Sequence, residues 1–193
     1  MFKRILAASD VLTGMDTPVL TAAKIAERNN AKLYILHVLE SASTENRHLI
    51  KHFRTGEDII TTIDYEKGVK TQIEKIYKDT LQSSLKYEIK VVPGFPWEEI
   101  LRWSREKSTD LIVLGPHSTR AEEKKVVRMV GKIGSTVEGV IMHENCPVMI
   151  VNPTVPKKPL AFKKIMVSID FSRSCECALC FAVKFAKKYN SKL

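Results

Sequence analysis

The sequence lacks the features of a membrane or secreted protein. It has no apolar run long enough to cross a membrane, which takes about 20 mostly apolar residues. Its first residues lack the charged, then apolar, then small-residue order of a secretory leader, so the sequence favours the cytoplasm. Cysteine is also scarce, because 4 residues in a chain of 193 do not form a disulfide framework.

Aromatic residues make up only 7% of the chain, and its basic charge is uneven. Residues 1–152 contain 22 Lys and Arg against 20 Asp and Glu, whereas the last 41 residues contain nine basic residues and two acids. Nucleic-acid-binding surfaces combine clustered basic residues with stacking aromatic rings. The sequence therefore predicts no nucleic-acid partner, and a basic tail is the simpler explanation of the net charge.

The most informative stretch begins with the apolar run Leu111–Leu114, which stops at Gly115. A charged loop covers 116–132, and a helical pattern begins at Gly134-Ser135-Thr136 and continues to His143. A second apolar run follows at 147–151. The pattern predicts two buried parallel strands joined by a helix, with an anion site at the start of that helix.

Three more apolar segments and three amphipathic segments alternate before this stretch. Strands are predicted at 2–9, 32–38 and 87–92, and helices at 17–29, capped by Thr17, at 65–85 and at 97–107. Five strands alternating with four helices predict an α/β fold, a doubly wound, Rossmann-like parallel sheet of order 3-2-1-4-5. Asp10 and Gly115 then end neighbouring strands at the switch point, where open α/β sheets bind ligands.

Two pairs of side chains leave alternatives open. His48 and His52 are four residues apart, which would put two imidazoles on one helical face as a metal site requires, but no third ligand is evident. Solvated histidines are the favoured interpretation. Trp97 and Trp103 are able to stack on a base or to pack a helix, and packing is the favoured role.

Residues 2–33 and 162–193 align without gaps and share ten identities in 32 positions. The alignment predicts a domain at 1–152, a Pro/Lys linker at 153–161, and at 162–193 the first strand and helix of a second domain. The favoured interpretation is a tandem protein with an incomplete second copy. The alternative is a natural short form whose extra strand, 163–168, and helix pack on a partner.

Three cysteines lie in the helix of the second copy, Cys175, Cys177 and Cys180. Their spacing does not place them on one helical face. Small buried residues are predicted here, with a metal site as the alternative.

On these residues the chain resembles the universal stress protein family. The segments that carry the resemblance are Phe2–Leu6 leading to Asp10, Leu111–Gly115, Gly134-Ser135 and 146–151. The ATP-binding members have a Gly, two residues, a second Gly, nine residues, and a Gly followed by Ser or Thr. Gly115 and Gly134-Ser135 match the ends of that motif, but Ser118 replaces the second Gly and the interval is six residues longer.

The resemblance implies binding of ATP, with or without Mg²⁺. Asp10 would bind the ribose or adenine side, with a helix or turn cap as its alternative role. Ala8 and Val38 would lie near the adenine, and Leu114 and Gly115 under the ribose and phosphates. The residues implied for the phosphates are Ser118, Gly134, Ser135 and Thr136, and the loop adds basic side chains at Arg120, Lys124, Lys125, Arg128 and Lys132.

The function implied is a cytoplasmic stress-response regulatory protein that binds ATP or a related adenine nucleotide. No catalytic nucleophile and base are evident in the sequence, so at most slow ATP hydrolysis is expected. The alternative is a nucleotide-free dimerisation and interaction module. The resemblance also implies a homodimer, formed through strand 147–151, although the extra strand 163–168 could cover that edge instead.

Overall fold

The computed structural model describes residues 1–10, 16–43, 45–52, 55–78, 80–116, 134–152 and 161–193. The chain divides into two units, Phe2–Val155 and Pro156–Leu193, the latter together with Met1, and each is described by itself. The strands are β1 (Arg4–Ala8), β2 (Lys32–Glu40), β3 (Leu49–Lys51), β4 (Asp58–Ile60), β5 (Tyr87–Gly94), β6 (Leu111–Leu114) and β7 (Val148–Ile150). The helices are α1 (Thr17–Asn29), α2 (Ile63–Lys78), α3 (Pro96–Lys107), α4 (Ser135–His143) and α5 (Arg173–Tyr189).

A five-stranded parallel sheet of order β5-β2-β1-β6-β7 forms the centre of the first unit. This confirms the predicted doubly wound α/β fold and its 3-2-1-4-5 order. All four residues of Leu111–Leu114 are buried, because β6 is an inner strand with helices packed on the sheet. Inner strands of parallel sheets are apolar on both faces, which explains the unbroken apolar run in the sequence.

Residues 39–63 contain a feature that the sequence did not reveal. β2 continues to Glu40, and β3 pairs with β4 as a small antiparallel hairpin. His48 and His52 flank β3 and do not share a helical face, so the helical arrangement considered for them is wrong. Two strands of three residues each are too short to show a period in the sequence.

The prediction of a helix at 65–85 is wrong at its end, because α2 stops at Lys78. The N–H groups of Thr80 and Leu81 both donate to the carbonyl of Tyr77, which closes a turn. Leu81 and Leu85 nevertheless stay buried. The apolar stripe therefore continues beyond the helix and made it look longer.

In the second unit, Lys164 and Lys192 form an isolated parallel bridge, 160 positions beyond the Arg4–Lys32 pair. Asn30 and Asn190, at equivalent positions, both cap helices in the left-handed conformation, with φ of 50° and 53°. The strand predicted at 163–168 is wrong, since only Lys164 pairs there, whereas β1 pairs on both sides. The domain boundaries stay a prediction.

Cys175 is buried, but Cys177 and Cys180 are exposed, so the prediction of three buried cysteines holds for the first only. The buried face of α5 consists of Cys175, of Ala182 two helical turns later, and of Phe185 and Ala186, and the other two thiols lie outside it.

No helix in the described part of the chain is both long and apolar enough to span a membrane. β7 is an outer strand of the sheet, and its Ile150 is 40% exposed. The homodimer expected through 147–151 stays a prediction.

Candidate functional site

The candidate site lies where β1 and β6 end side by side. Ala7 of β1 is paired with Val113 of β6, so Asp10 and Gly115 both follow closely after the paired residues. The chain leaves β1 towards β2 on one side and leaves β6 towards β7 on the other. The two connections diverge at this point and leave a crevice at the carboxyl ends of the strands.

Three predicted site residues lie together on one face of the sheet. Leu114 belongs to a buried hydrophobic cluster, here called the site cluster, and the half-buried Ala8 and Val38 pack against it. Val137, in the first turn of α4, belongs to the same cluster. The strand tips and the start of α4 therefore share one apolar floor.

The end of β6 and the start of α4 are held together by a backbone hydrogen bond. The N–H of Gly134 donates to the carbonyl of Pro116 over 3.2 Å, and Glu138 N–H donates to the Gly134 carbonyl to begin the helix. Residues 117–133, including Ser118, lie outside the described residues. This contact places Gly115 and Gly134, the two ends of the predicted loop, close in space.

The first turn of α4 presents backbone N–H groups that have no acceptor within the helix. Gly134 caps the helix without a side-chain hydrogen bond. Within the described chain no acceptor reaches the N–H groups of Ser135, Thr136 and Val137, as is usual for the first turn of a helix. These N–H groups and the helix dipole favour a bound anion.

The tip of β1 is fixed by a buried hydrogen-bond network that the sequence did not reveal. The Asp16 carboxylate accepts from Asp10 N–H at 3.2 Å and from the Tyr77 hydroxyl at 2.9 Å. The Tyr77 oxygen lies 2.8 Å from Ser9 Oγ. Since Tyr77 gives its only proton to Asp16, the Ser9 hydroxyl donates to Tyr77. Tyr77 of α2 thereby holds Ser9 directly, and it holds Asp10 through Asp16.

Asp16 is also the N-cap of α1, because its second carboxylate oxygen accepts from Val19 N–H at 3.3 Å. The predicted cap at Thr17 is therefore wrong by one residue. The helix-capping alternative for Asp10 is wrong for α1, since Asp16 fills that role. The signal for the correct cap was present in the sequence as an Asp two positions before Pro18.

Burial raises the pKa of Asp16 above its ordinary value of 3.8, although the hydrogen bonds from the Tyr77 hydroxyl and from Val19 N–H oppose the shift. Burial, with the negative charge of Asp16 beside it, also raises the pKa of Tyr77. A carboxyl group whose pKa is raised on folding binds its proton more tightly in the folded state. Its contribution to stability is greatest below pH 3.8 and is lost as the pH rises through the folded pKa.

We expect the replacement Asp16→Asn to reveal this dependence, because asparagine still caps α1 but does not ionise. The free energy of unfolding of the unmodified protein, minus that of the variant, should fall as the pH is raised from about 4 to about 8. Urea unfolding followed by circular dichroism at each pH measures it. Asp64→Asn, at an exposed carboxylate of α2, is the control and should give a flatter curve. A rising difference for Asp16→Asn would contradict the assignment.

The two tryptophans and His52, which were the other candidates for binding roles, contact neighbouring side chains of the fold. Trp103 is buried in the site cluster and Trp97 packs against it, which confirms the packing role predicted for both. The His52 ring nitrogen lies 3.0 Å from Thr55 Oγ1, and its ring lies 5.6 Å from that of Tyr65. Among the described residues no group of three or more His, Cys, Asp or Glu side chains is arranged to hold a metal ion.

Comparison with known proteins gives the family context of this site. The model described as Universal stress protein family matches residues 1–152. Universal stress protein MJ0531 of Methanocaldococcus jannaschii is 26% identical over 162 residues, which are 82% of this chain and 85% of that protein. Universal stress protein MJ0577 of the same organism is 21% identical over 160 residues, covering 78% and 95%.

Solved structures show the same fold. The structure of MJ0577 superposes with a TM-score of 0.53 at 22% identity, covering 79% of this chain and 96% of that one. Universal stress protein UspA from Lactobacillus plantarum gives a TM-score of 0.54 at 20% identity, covering 77% and 97%.

Proposed function

Because the chain belongs to the universal stress protein family, we propose that it binds an adenine nucleotide, ATP first of all, at the crevice between the ends of β1 and β6. The observation that supports the proposal is the hydrogen bond from Gly134 N–H to the Pro116 carbonyl, 3.2 Å long. It brings the carboxyl end of one central strand to the first turn of α4, so that an apolar floor and an anion site become neighbours.

Different residues of the site suit the adenine, the ribose and the phosphates of a nucleotide. The adenine lies on Ala8 and Val38, which are half-buried and apolar and so offer a surface for a flat ring. Asp10, at the tip of β1, accepts hydrogen bonds from the ribose hydroxyls or the adenine. The phosphates lie at the N–H groups of Ser135 and Thr136, with Leu114 and Gly115 beneath the ribose.

The proposed role is regulatory and cytoplasmic, in a stress response. A nucleotide regulates the protein by binding one conformation of the site more tightly than another. The population of the favoured conformation then rises with nucleotide occupancy. The parts of the site that a bound phosphate would contact are Gly134 and the first turn of α4. The proposed output is a change in the surface around Pro116 and α4 that other proteins contact.

The test is calorimetric titration with ATP, with and without Mg²⁺, of the unmodified chain, Gly134→Asp and Gly134→Asn. Gly134 has φ of −64° and ψ of 146°, which other residues adopt, and both replacements are good N-caps. The two variants differ by one negative charge. A like charge about 5 Å from a phosphate costs roughly 1–3 kcal/mol at effective dielectric constants of 20–80.

We therefore expect micromolar ATP binding by the unmodified chain and at least about fivefold weaker binding by the Asp variant than by the Asn variant. Equal affinities of the two variants for ATP would show that the phosphates do not bind at the first turn of α4. The absence of any heat with the folded unmodified chain would overturn the proposal and favour the nucleotide-free interaction module.

A further inference from the structure

Among the described residues, the outer edge of the sheet at β5 presents backbone groups that pair with no other strand. Leu33 N–H donates to the Lys86 carbonyl at 2.9 Å and Ser41 N–H to the Gly94 carbonyl at 3.0 Å, so the even-numbered residues bond to β2. Backbone groups alternate in direction along a strand. Those of Tyr87, Ile89 and Val91 consequently point outward, and in the described chain β5 pairs with no strand but β2.

Pro93 supports this register. It occupies the next outward position of β5, where its missing N–H does not disturb the pairing with β2. Three N–H groups and four carbonyls therefore face outward along this edge. A further strand laid beside β5 would find both donors and acceptors at regular spacing.

A groove of about 660 Å³ lies between this edge and α2. On the strand side it is lined by Tyr87, Glu88 and Ile89. The helix contributes a single stripe of side chains at spacings of one, three and four residues, namely Lys70, Thr71, Glu74, Lys75 and Lys78.

The groove carries excess positive charge. Lys70 Nζ lies 3.6 Å from Glu74, and Glu88 pairs with Lys32 at 2.9 Å and Lys107 at 3.4 Å. The hydrogen bond from Lys32 lowers the pKa of Glu88, which keeps that carboxylate ionised and paired. Within the described residues, no carboxylate pairs with the exposed Lys75 or Lys78. These two ammonium groups are left to interact with a ligand.

We propose that the outer edge of β5 and the lysine stripe of α2 form a docking groove for an extended acidic segment of a partner protein, which adds to the sheet as a sixth strand. A peptide backbone satisfies the outward carbonyls as well as the outward N–H groups, whereas a nucleic-acid phosphate backbone has only acceptors. A second copy of this chain fits less well, because its β7 edge, Val148–Ile150, carries no acidic residue.

The test uses three blocked eight-residue peptides with a fluorescent label: alternating Glu and Val, the same Glu–Val sequence with every backbone nitrogen methylated, and alternating Lys and Val. Fluorescence anisotropy measures binding to the full chain. The methylated peptide keeps the charge and the side chains but has no backbone N–H group to donate. We expect the Glu–Val peptide to bind at least tenfold more tightly than either of the others.

Two variants with the same charge change locate the binding. Lys75→Glu should weaken binding of the Glu–Val peptide at least tenfold, while Lys3→Glu, at the exposed start of the chain, should change it less than twofold. Hydrogen exchange by NMR should slow at the amides of Tyr87, Ile89 and Val91 when the peptide binds. The proposal is overturned if the methylated peptide binds as well as the Glu–Val peptide, if both variants weaken binding equally, or if exchange at these amides is unchanged.

Discussion

Replacing Trp103 by alanine is expected to lower the free energy of unfolding by about 3–5 kcal/mol, the usual cost of removing a large buried aromatic side chain. Trp103 is 5% exposed and belongs to the site cluster. Its ring also lies 4.6 Å from the Lys107 ammonium, a cation–π contact that alanine removes. Urea unfolding followed by far-ultraviolet circular dichroism measures the change.

Trp103→Phe is the matched control for this loss. Trp103 Nε1 is buried, and no residue in the described chain accepts a hydrogen bond from it. Leaving a buried donor unsatisfied costs about 1–3 kcal/mol. Phenylalanine fills much of the space and removes that donor, so we expect it to cost less than about 2 kcal/mol. Equal losses for the two variants would mean that ring packing is not what stabilises this position.

Alanine should have opposite effects at two glycines that both lie inside helices. At Gly68 of α2, a Cβ would meet no atom within 4 Å, so alanine should raise the free energy of unfolding by about 0.5–1 kcal/mol through its helix propensity. At Gly139 of α4, a Cβ would lie 2.7 Å from Trp97 Cγ and 2.9 Å from Trp97 Cβ. Neither of these two atoms is at the flexible end of the Trp97 side chain. Alanine at position 139 should therefore lower the free energy of unfolding by about 1–3 kcal/mol, the usual cost of overpacking.

The Gly139→Ala variant also tests how α4 is held at the site. Because α4 packs on α3 through this glycine and Trp97, relief of the clash moves the first turn of α4 relative to β6. ATP affinity should therefore fall in Gly139→Ala and stay unchanged in Gly68→Ala. Thermal unfolding gives the stabilities, and calorimetry the affinities. If both Gly68→Ala and Gly139→Ala raised the stability, the close contact between position 139 and Trp97 would be contradicted.

Much of the fold could be predicted from the order and polarity of short segments. Leu111–Leu114 is apolar throughout because an inner parallel strand is covered on both faces. Such an uninterrupted apolar run can be recognised as a buried strand from the sequence alone. Residues 135–143 were placed correctly because a glycine precedes a helical pattern. The β3–β4 hairpin could not be predicted, since a pairing of three residues with three is set by backbone contacts and leaves little pattern in side-chain polarity.

The candidate site was predicted only where a local motif marks it. Gly115, Gly134 and Ser135 belong to such a motif, and Asp10 follows a strand. The Tyr77–Asp16 hydrogen bond joins residues 61 positions apart, and Tyr77 looked like one more member of an apolar helical stripe. A buried hydroxyl must find a partner, but the sequence does not say which residue folding brings to it.

The sequence by itself determined the alternation of strands and helices, the helix that faces the crevice and the residue types at the strand tips, because each depends on neighbours along the chain. The tertiary structure decided that Asp16 and Tyr77 fix Asp10, that Gly134 closes on Pro116, and that the backbone of β5 faces outward beside a row of lysines. These are contacts between segments far apart in sequence. Their partners are chosen by the packing of the whole sheet and its helices, which no local pattern encodes.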